Sequence, residues 1–366
     1  MSLLSVALLS TAFVTWTAPP VSADDVGEVA RAGQWQLDTL RLPEAWRASR
    51  GAGVLVAVLD TGVNSRHPDL AGAVVEGPDL TGTRVVPGLW GRHGTAMASL
   101  IAGRGHGDER RGGVLGVAPA ARVLSIRVTL ENDDPRREDQ RSATRDVLAK
   151  GIRYAADHGA DVISMSLGGG SGAWQGSPAE QEAVRYAIAK GAVLVASAGN
   201  DGAAANRKNF PAAYPGVIAV GAVDRRLTLA GFSSRQDYVS VVAPGTEIVT
   251  ADGADSYVVG DGTSSAAAMV AGIAALIKSA HPDLSPQLVR RAIELGTRRA
   301  DGRGPAYGHG VADALLALRA ADRMSPPAAH AAPRPAPSSR TAVVAGMLAL
   351  VATMSARIVM ARRRPD

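Results

Sequence analysis

Five short stretches of almost unbroken apolar residues constrain this chain more than any other feature: VLVAVLD (54–60), RVLSIRV (122–128), DVISMSL (161–167), AVLVASAG (192–199) and VIAVGAV (217–223). A strand with one wet face alternates apolar and polar residues, whereas a strand covered on both faces has no need to. Helix-like stretches lie between them or after them: HGTAMASLIAG (93–103), RDVLAKGIRYAADHG (145–159), EQEAVRYAIAKG (180–191) and TSSAAAMVAGIAALIKSAHP (263–282). Several end in Gly or run into Pro, the usual stop signals. Such alternation predicts an α/β protein of three layers, with a mainly parallel central sheet and helices on both faces. The chain has only three Phe but 41 Gly, which suits helices laid closely on a sheet.

At 366 residues there is enough chain for one large or two ordinary domains with a substantial core. The formal net charge is +5, yet Lys and Arg are scattered rather than gathered in a stripe, so no nucleic-acid partner is expected. Cysteine is absent, so the fold draws no stability from disulfides. The run ENDDPRREDQR (131–141) reads as a solvated loop or as the rim of a groove.

Both ends read as address labels. An apolar run at 3–16 precedes Val21-Ser22-Ala23, the small-residue spacing of a signal-peptidase site, although no Lys or Arg stands before it. A signal peptide is therefore expected at 1–23, an N-terminal extension at 24–50 and the folded domain at 51–322. A Pro/Ala-rich linker follows at 323–340. Residues 341–356 carry no charge, and with Arg357 snorkelling the apolar span reaches 361, near the roughly 20 residues a bilayer requires. The expectation is a single-pass membrane protein with an extracellular domain, a transmembrane helix at 341–361 and a cytoplasmic tail at 362–366.

In a parallel α/β sheet, functional groups collect at the carboxyl ends of the strands. The first apolar run ends in Asp60-Thr61-Gly62, the fourth in Gly199-Asn200, and His93 opens a helix of small residues. Singly, each is an ordinary cap or turn residue. Together, VLDTGV, HGTAMASLIAG, SAGN and GTSSAAAMVAG resemble, in that order, the four active-site blocks of the subtilisin-like serine proteases. Asp before His before Ser is also the chain order of the subtilisin triad. The resemblance covers roughly residues 40–320 and implies a subtilisin-like fold. Asp60 would orient His93, His93 would act as the base, and Asn200 would supply an oxyanion donor. Ser264 directly follows Gly-Thr and is the implied nucleophile in preference to Ser265. Ser166-Leu167-Gly168 resembles the edge that pairs with an extended substrate, and Ser197-Ala198-Gly199 resembles a wall of the specificity pocket.

The chain departs from the family in places. Ala268 stands where Pro is usual, four residues after the nucleophile. Asp69 matches a carboxylate that serves calcium in many relatives, but the loop GRGHGDERRGG (103–113) does not match its partner. No calcium is expected at that site, and no cofactor or metal is assigned to the chemistry; structural calcium elsewhere is left open by the sequence. Only about 25 residues separate the signal site from the first strand region, too few for a full inhibitory propeptide. The segment QWQLDTLRLPEAWRASRGAGVLVAVLDTGV, the block GTAMASLIAGRGHG, the linker and the tail are similar to those of mycosins, membrane-anchored members of the family associated with type VII secretion. Many mycosins carry disulfides and this chain has no Cys. The likeness implies protein or peptide substrates and a secretion-complex partner. The rival expectation is a structural subunit of such a complex, with proteolysis dispensable.

Overall fold

The computed structural model describes residues 23–325, apart from 87, 89, 138, 140–145, 169–175 and 299–302. The expected signal peptide, most of the linker, the transmembrane span and the tail lie outside these residues. In chain order the strands are β1 (Leu55–Asp60), β2 (Val74–Asp79), β3 (Arg104–His106), β4 (Gly112–Leu115), β5 (Arg122–Arg127), β6 (Val162–Met165) and β7 (Val193–Ser197). They continue with β8 (Ile218–Val223), β9 (Val239–Pro244), β10 (Ile248–Ala251), β11 (Tyr257–Gly260), β12 (Thr297–Arg298) and β13 (Val311–Ala312). Nine of them form one sheet in the order β12-β13-β9-β8-β7-β6-β1-β5-β2. Every pairing in it is parallel except β12 with β13.

Alternation along each central strand divides two cores. Val56, Val58, Val193 and Val195 pack on one face, against the helices Arg92–Ala102 and Thr263–Ala280. Ala57, Leu59, Leu194 and Ala196 pack on the other, against Val147–Asp157 and Pro178–Ala189. Both faces are dry, which is why the strands read as continuous apolar runs. The expected central strands and helices are all present, with ends that differ from expectation by one to a few residues.

The helix Thr263–Ala280 is long and apolar enough to cross a membrane, but 78% of it is buried inside the protein, so it is a core helix. It runs unbroken through Ala268, which is fully buried, so the missing Pro leaves the helix intact. Its small residues let neighbouring segments approach closely: a Cβ on Gly272 would lie 2.5 Å from Val117 Cβ.

The segment 24–50 is part of this fold. After the helix Ala23–Ala32 and two short turns of helix, Leu40, Leu42 and Ala45 are fully buried in the first core. Arg41 makes a two-pronged ion pair with buried Asp313 at 2.7 and 3.0 Å, and Trp46 donates its indole N–H to Val117 O at 2.8 Å.

Candidate active site

β1, β6 and β7 are neighbours in the sheet, and their carboxyl ends bring Asp60, Ser166 and Ser197 to one rim. Asp60 is 1% exposed; its Oδ1 accepts the Thr61 backbone N–H at 2.7 Å. His93 lies in the first turn of Arg92–Ala102. Gly94 lets that helix end press onto the Asp60 turn, since a Cβ there would lie 2.0 Å from Gly62 O. The result is a 2.7 Å bond between His93 Nδ1 and Asp60 Oδ1. A carboxylate only accepts, so the ring proton sits on Nδ1 and the neutral imidazole keeps Nε2 as an acceptor.

Burial alone would lower the His93 pKa. The charge of Asp60, its hydrogen bond and the charge of Glu131 outweigh burial and a contrary push from Arg137, so the net shift is upward.

Ser264 opens the long core helix and lines the same cleft, whose volume is about 300 Å³. Its hydroxyl donates to Ser166 O at 3.3 Å, and the Ser166 hydroxyl donates to Ser264 O at 2.9 Å. Ser265 is buried and does not line the cleft. Asn200 Oδ1 accepts both the backbone N–H and the hydroxyl of Thr263, at 3.0 and 2.8 Å. That pairing fixes the amide orientation and leaves Nδ2 on the other side. A Cβ built on Gly262 would lie 3.6 Å from Ser264 N and 3.7 Å from Asn200 Nδ2, so the two donors border one small volume.

Of the six expected substrate-binding residues, Ser166, Leu167, Gly168, Ser197 and Gly199 line the cleft. Ala198 does not. Its side chain is fully buried, its N–H is held by Val220 O at 2.9 Å, and its carbonyl accepts from the Tyr238 hydroxyl at 3.2 Å.

Several lining residues carry no local signature in the sequence. Asn209 is 1% exposed and donates from Nδ2 to Ser197 O at 2.9 Å. It wedges between the two walls: Cβ atoms on Gly168 and Gly199 would meet it at 2.4 and 3.1 Å. Asn132 and Arg137 also line the cleft, so the described first part of the charge run, 131–137, borders it; within it Glu131 and Asp134 are buried rather than solvated. Among the described residues, no group of three His, Cys, Asp or Glu side chains is arranged to hold a metal ion. Both oxygens of Asp69 are engaged, Oδ1 with His106 Nδ1 at 2.6 Å and Oδ2 with the Val114 N–H at 2.7 Å.

Residues 51–310 match the subtilase (peptidase S8) family. The chain belongs to the subtilase family. Thermitase from Thermoactinomyces vulgaris is 38% identical over 286 residues, which span 78% of this chain and 96% of thermitase. MycP1 from Mycobacterium smegmatis aligns with a TM-score of 0.65 at 30% identity, over 78% of this chain and 84% of that one. The MycP3 protease from the type VII (ESX-3) secretion system aligns with a TM-score of 0.66 at 33% identity, over 82% and 90%. This subtilase is thus a subtilisin-like serine endopeptidase with mycosins among its structural neighbours.

Proposed function

We propose that this subtilase cleaves peptide bonds with Ser264 as nucleophile, His93 as general base, Asp60 as its orienting carboxylate and Asn200 as oxyanion donor. One observation carries this assignment: four residues spread from 60 to 264 meet in one cleft, with His93 tied to Asp60 at 2.7 Å and Asn200 turned by Thr263 toward the volume beside Ser264 N. A neutral serine hydroxyl is a poor nucleophile and needs a base in reach. His93 Nε2 takes the Ser264 proton as Oγ attacks the scissile carbonyl. Asp60 stabilises the imidazolium that results. The oxyanion forms between Ser264 N–H and Asn200 Nδ2. His93 then returns the proton to the leaving amine as the C–N bond breaks, and water repeats the sequence to release the acid and regenerate Ser264.

An extended substrate would pair with the Ser166–Gly168 edge, using main-chain bonds that tolerate many sequences. Asn209, seated between Gly168 and Gly199, would limit the size of the side chain accepted before the scissile bond. The uncharged segment 341–356 and the mycosin neighbours support an extracytoplasmic, membrane-tethered enzyme working beside a type VII secretion complex.

A fluorophosphonate adduct located by mass spectrometry tests the chemistry, with Ser264 expected to carry it. Modification of Ser265, or persistent labelling of Ser264→Ala, overturns the assignment. Carbonate extraction of membranes tests the tether; release into the supernatant defeats it.

A further inference from the structure

Glu131 is a buried carboxylate that the mechanism above does not use. The segment that carries it leaves β5 and folds over the Asp60 turn, with Val128 N–H on Asp60 O at 2.9 Å and Leu130 fully buried. Arg137, further along the same segment, donates to Leu130 O at 2.6 Å and closes the loop. Glu131 is 4% exposed, and its Oε1 accepts the backbone N–H of His93 at 3.2 Å. Gly91, which precedes the helix Arg92–Ala102, has no side chain to cap it, so the helix's first-turn N–H groups are capped from elsewhere: Gly94 by the Thr61 hydroxyl at 3.0 Å and His93 by Glu131 on this distant loop. A helix start also favours negative charge. An amide would satisfy the cap equally well, so a hydrogen bond alone gives no reason to hold a full charge out of water beside the base.

We propose that Glu131 is a positioning residue that sets the basicity of His93, acting as a second buried negative charge behind the imidazole and tying it to the cleft rim formed by Asn132 and Arg137. This role presupposes the peptidase reading only where it concerns turnover. The upward shift of His93 agrees with it: burial acts against the charged ring, Asp60 is the largest favourable influence and Glu131 adds to it. The other charged groups facing the pair are Arg137 on the same loop and Arg92 on the helix. Arg92 is bonded to Asp133 at 2.5 Å and lies within the field of Asp252. A second negative charge stabilises imidazolium, so it raises the pH at which the base becomes active and strengthens the proton transfer.

The test is an NMR titration of the His93 ring in the Ser264→Ala protein, repeated with Glu131→Gln and with Glu131→Asp. Glu131→Gln keeps an acceptor and loses the charge; the titration midpoint is expected to fall by roughly 0.5–1 pH unit. Glu131→Asp keeps the charge and is expected to recover at least about half of that shift. In the active enzyme, Glu131→Gln should move the acid limb of kcat/KM down by the same amount. Its kcat should fall about 3- to 10-fold, with KM within about twofold. A Glu131→Gln titration that superimposes on the parent overturns the proposal, and so does a Glu131→Asp midpoint as low as that of Glu131→Gln. Should the native chain neither turn over substrate nor take the fluorophosphonate, the peptidase assignment falls. The His93 titration still reports on Glu131 in that case.

Discussion

Among the described residues are two buried Asp–His pairs of nearly the same geometry. Asp60 meets His93 Nδ1 at 2.7 Å, and Asp69 meets His106 Nδ1 at 2.6 Å, with both carboxylates almost fully buried. The difference lies on the far side of each ring. His93 opens onto a cleft that it shares with Ser264. At His106, a Cβ on Gly27 would lie 2.9 Å from Nε2, so the helix Ala23–Ala32 covers the nitrogen a base would use. Tyr257 stacks beside the ring with centroids 6.5 Å apart, and burial followed by the charge of Asp69 holds its phenol above its ordinary pKa. Arg31, on the same N-terminal helix, donates to Gly113 O at 2.8 Å and Gly112 O at 3.1 Å. In the proposed mechanism one dyad serves a nucleophile, whereas the other lies beneath the N-terminal helix and helps hold it to the domain. An acid-oriented imidazole is therefore not a function in itself; what faces its second nitrogen decides.

The widest separation between the pairs should appear on truncation. Ser264→Ala is expected to lower kcat on the order of 10⁶-fold, a magnitude taken from the subtilisin triad itself, whereas His106→Ala should leave kcat within about twofold. A comparable loss in both, measured on a chromogenic peptide, would erase the distinction. Next in size is Asn200→Ala. It should cost about 10²- to 10³-fold in kcat with little change in KM, because its donor acts on charge present only in the transition state. A rise in KM alone would reassign Asn200 to ground-state binding.

A smaller effect is expected at the cleft floor, where Asn209→Gly should shift preference toward larger residues before the scissile bond by about 10- to 100-fold. Unchanged selectivity in a peptide library would remove Asn209 from the pocket. Smallest in activity is Asp69→Asn, which should leave kcat within about twofold while lowering stability by about 1–3 kcal/mol, read from denaturant midpoints. A loss of turnover without a loss of stability would mean that the second dyad communicates with the first.

Much of the fold was legible because its signals are local. Each central strand is a short apolar run, and the turns after β1 and β7 and the starts of two helices carry recognisable residues in recognisable order. β2 was harder to see, since Gly77 and Pro78 interrupt an edge strand that is only partly buried. The helix Pro286–Leu295 had its signals in place, a Ser285 cap and Pro286 at the first turn, yet was not anticipated. Glu131 and Asn209 had no signal at all: one sits in a charge run that looks solvated, the other in a loop of polar residues, and only their distant neighbours give them a role.

By itself the order of residues determined the layered α/β architecture and the set of groups able to perform serine chemistry, since periodicity and short turn signatures are properties of neighbouring positions. What faces each of these groups was decided only when strands and helices packed: His93 meets an open cleft while a helix covers His106, Ser265 is buried beside Ser264, and Glu131 is dry. Solvent access and the field at an imidazole are sums over groups far apart along the chain, so no local pattern contains them.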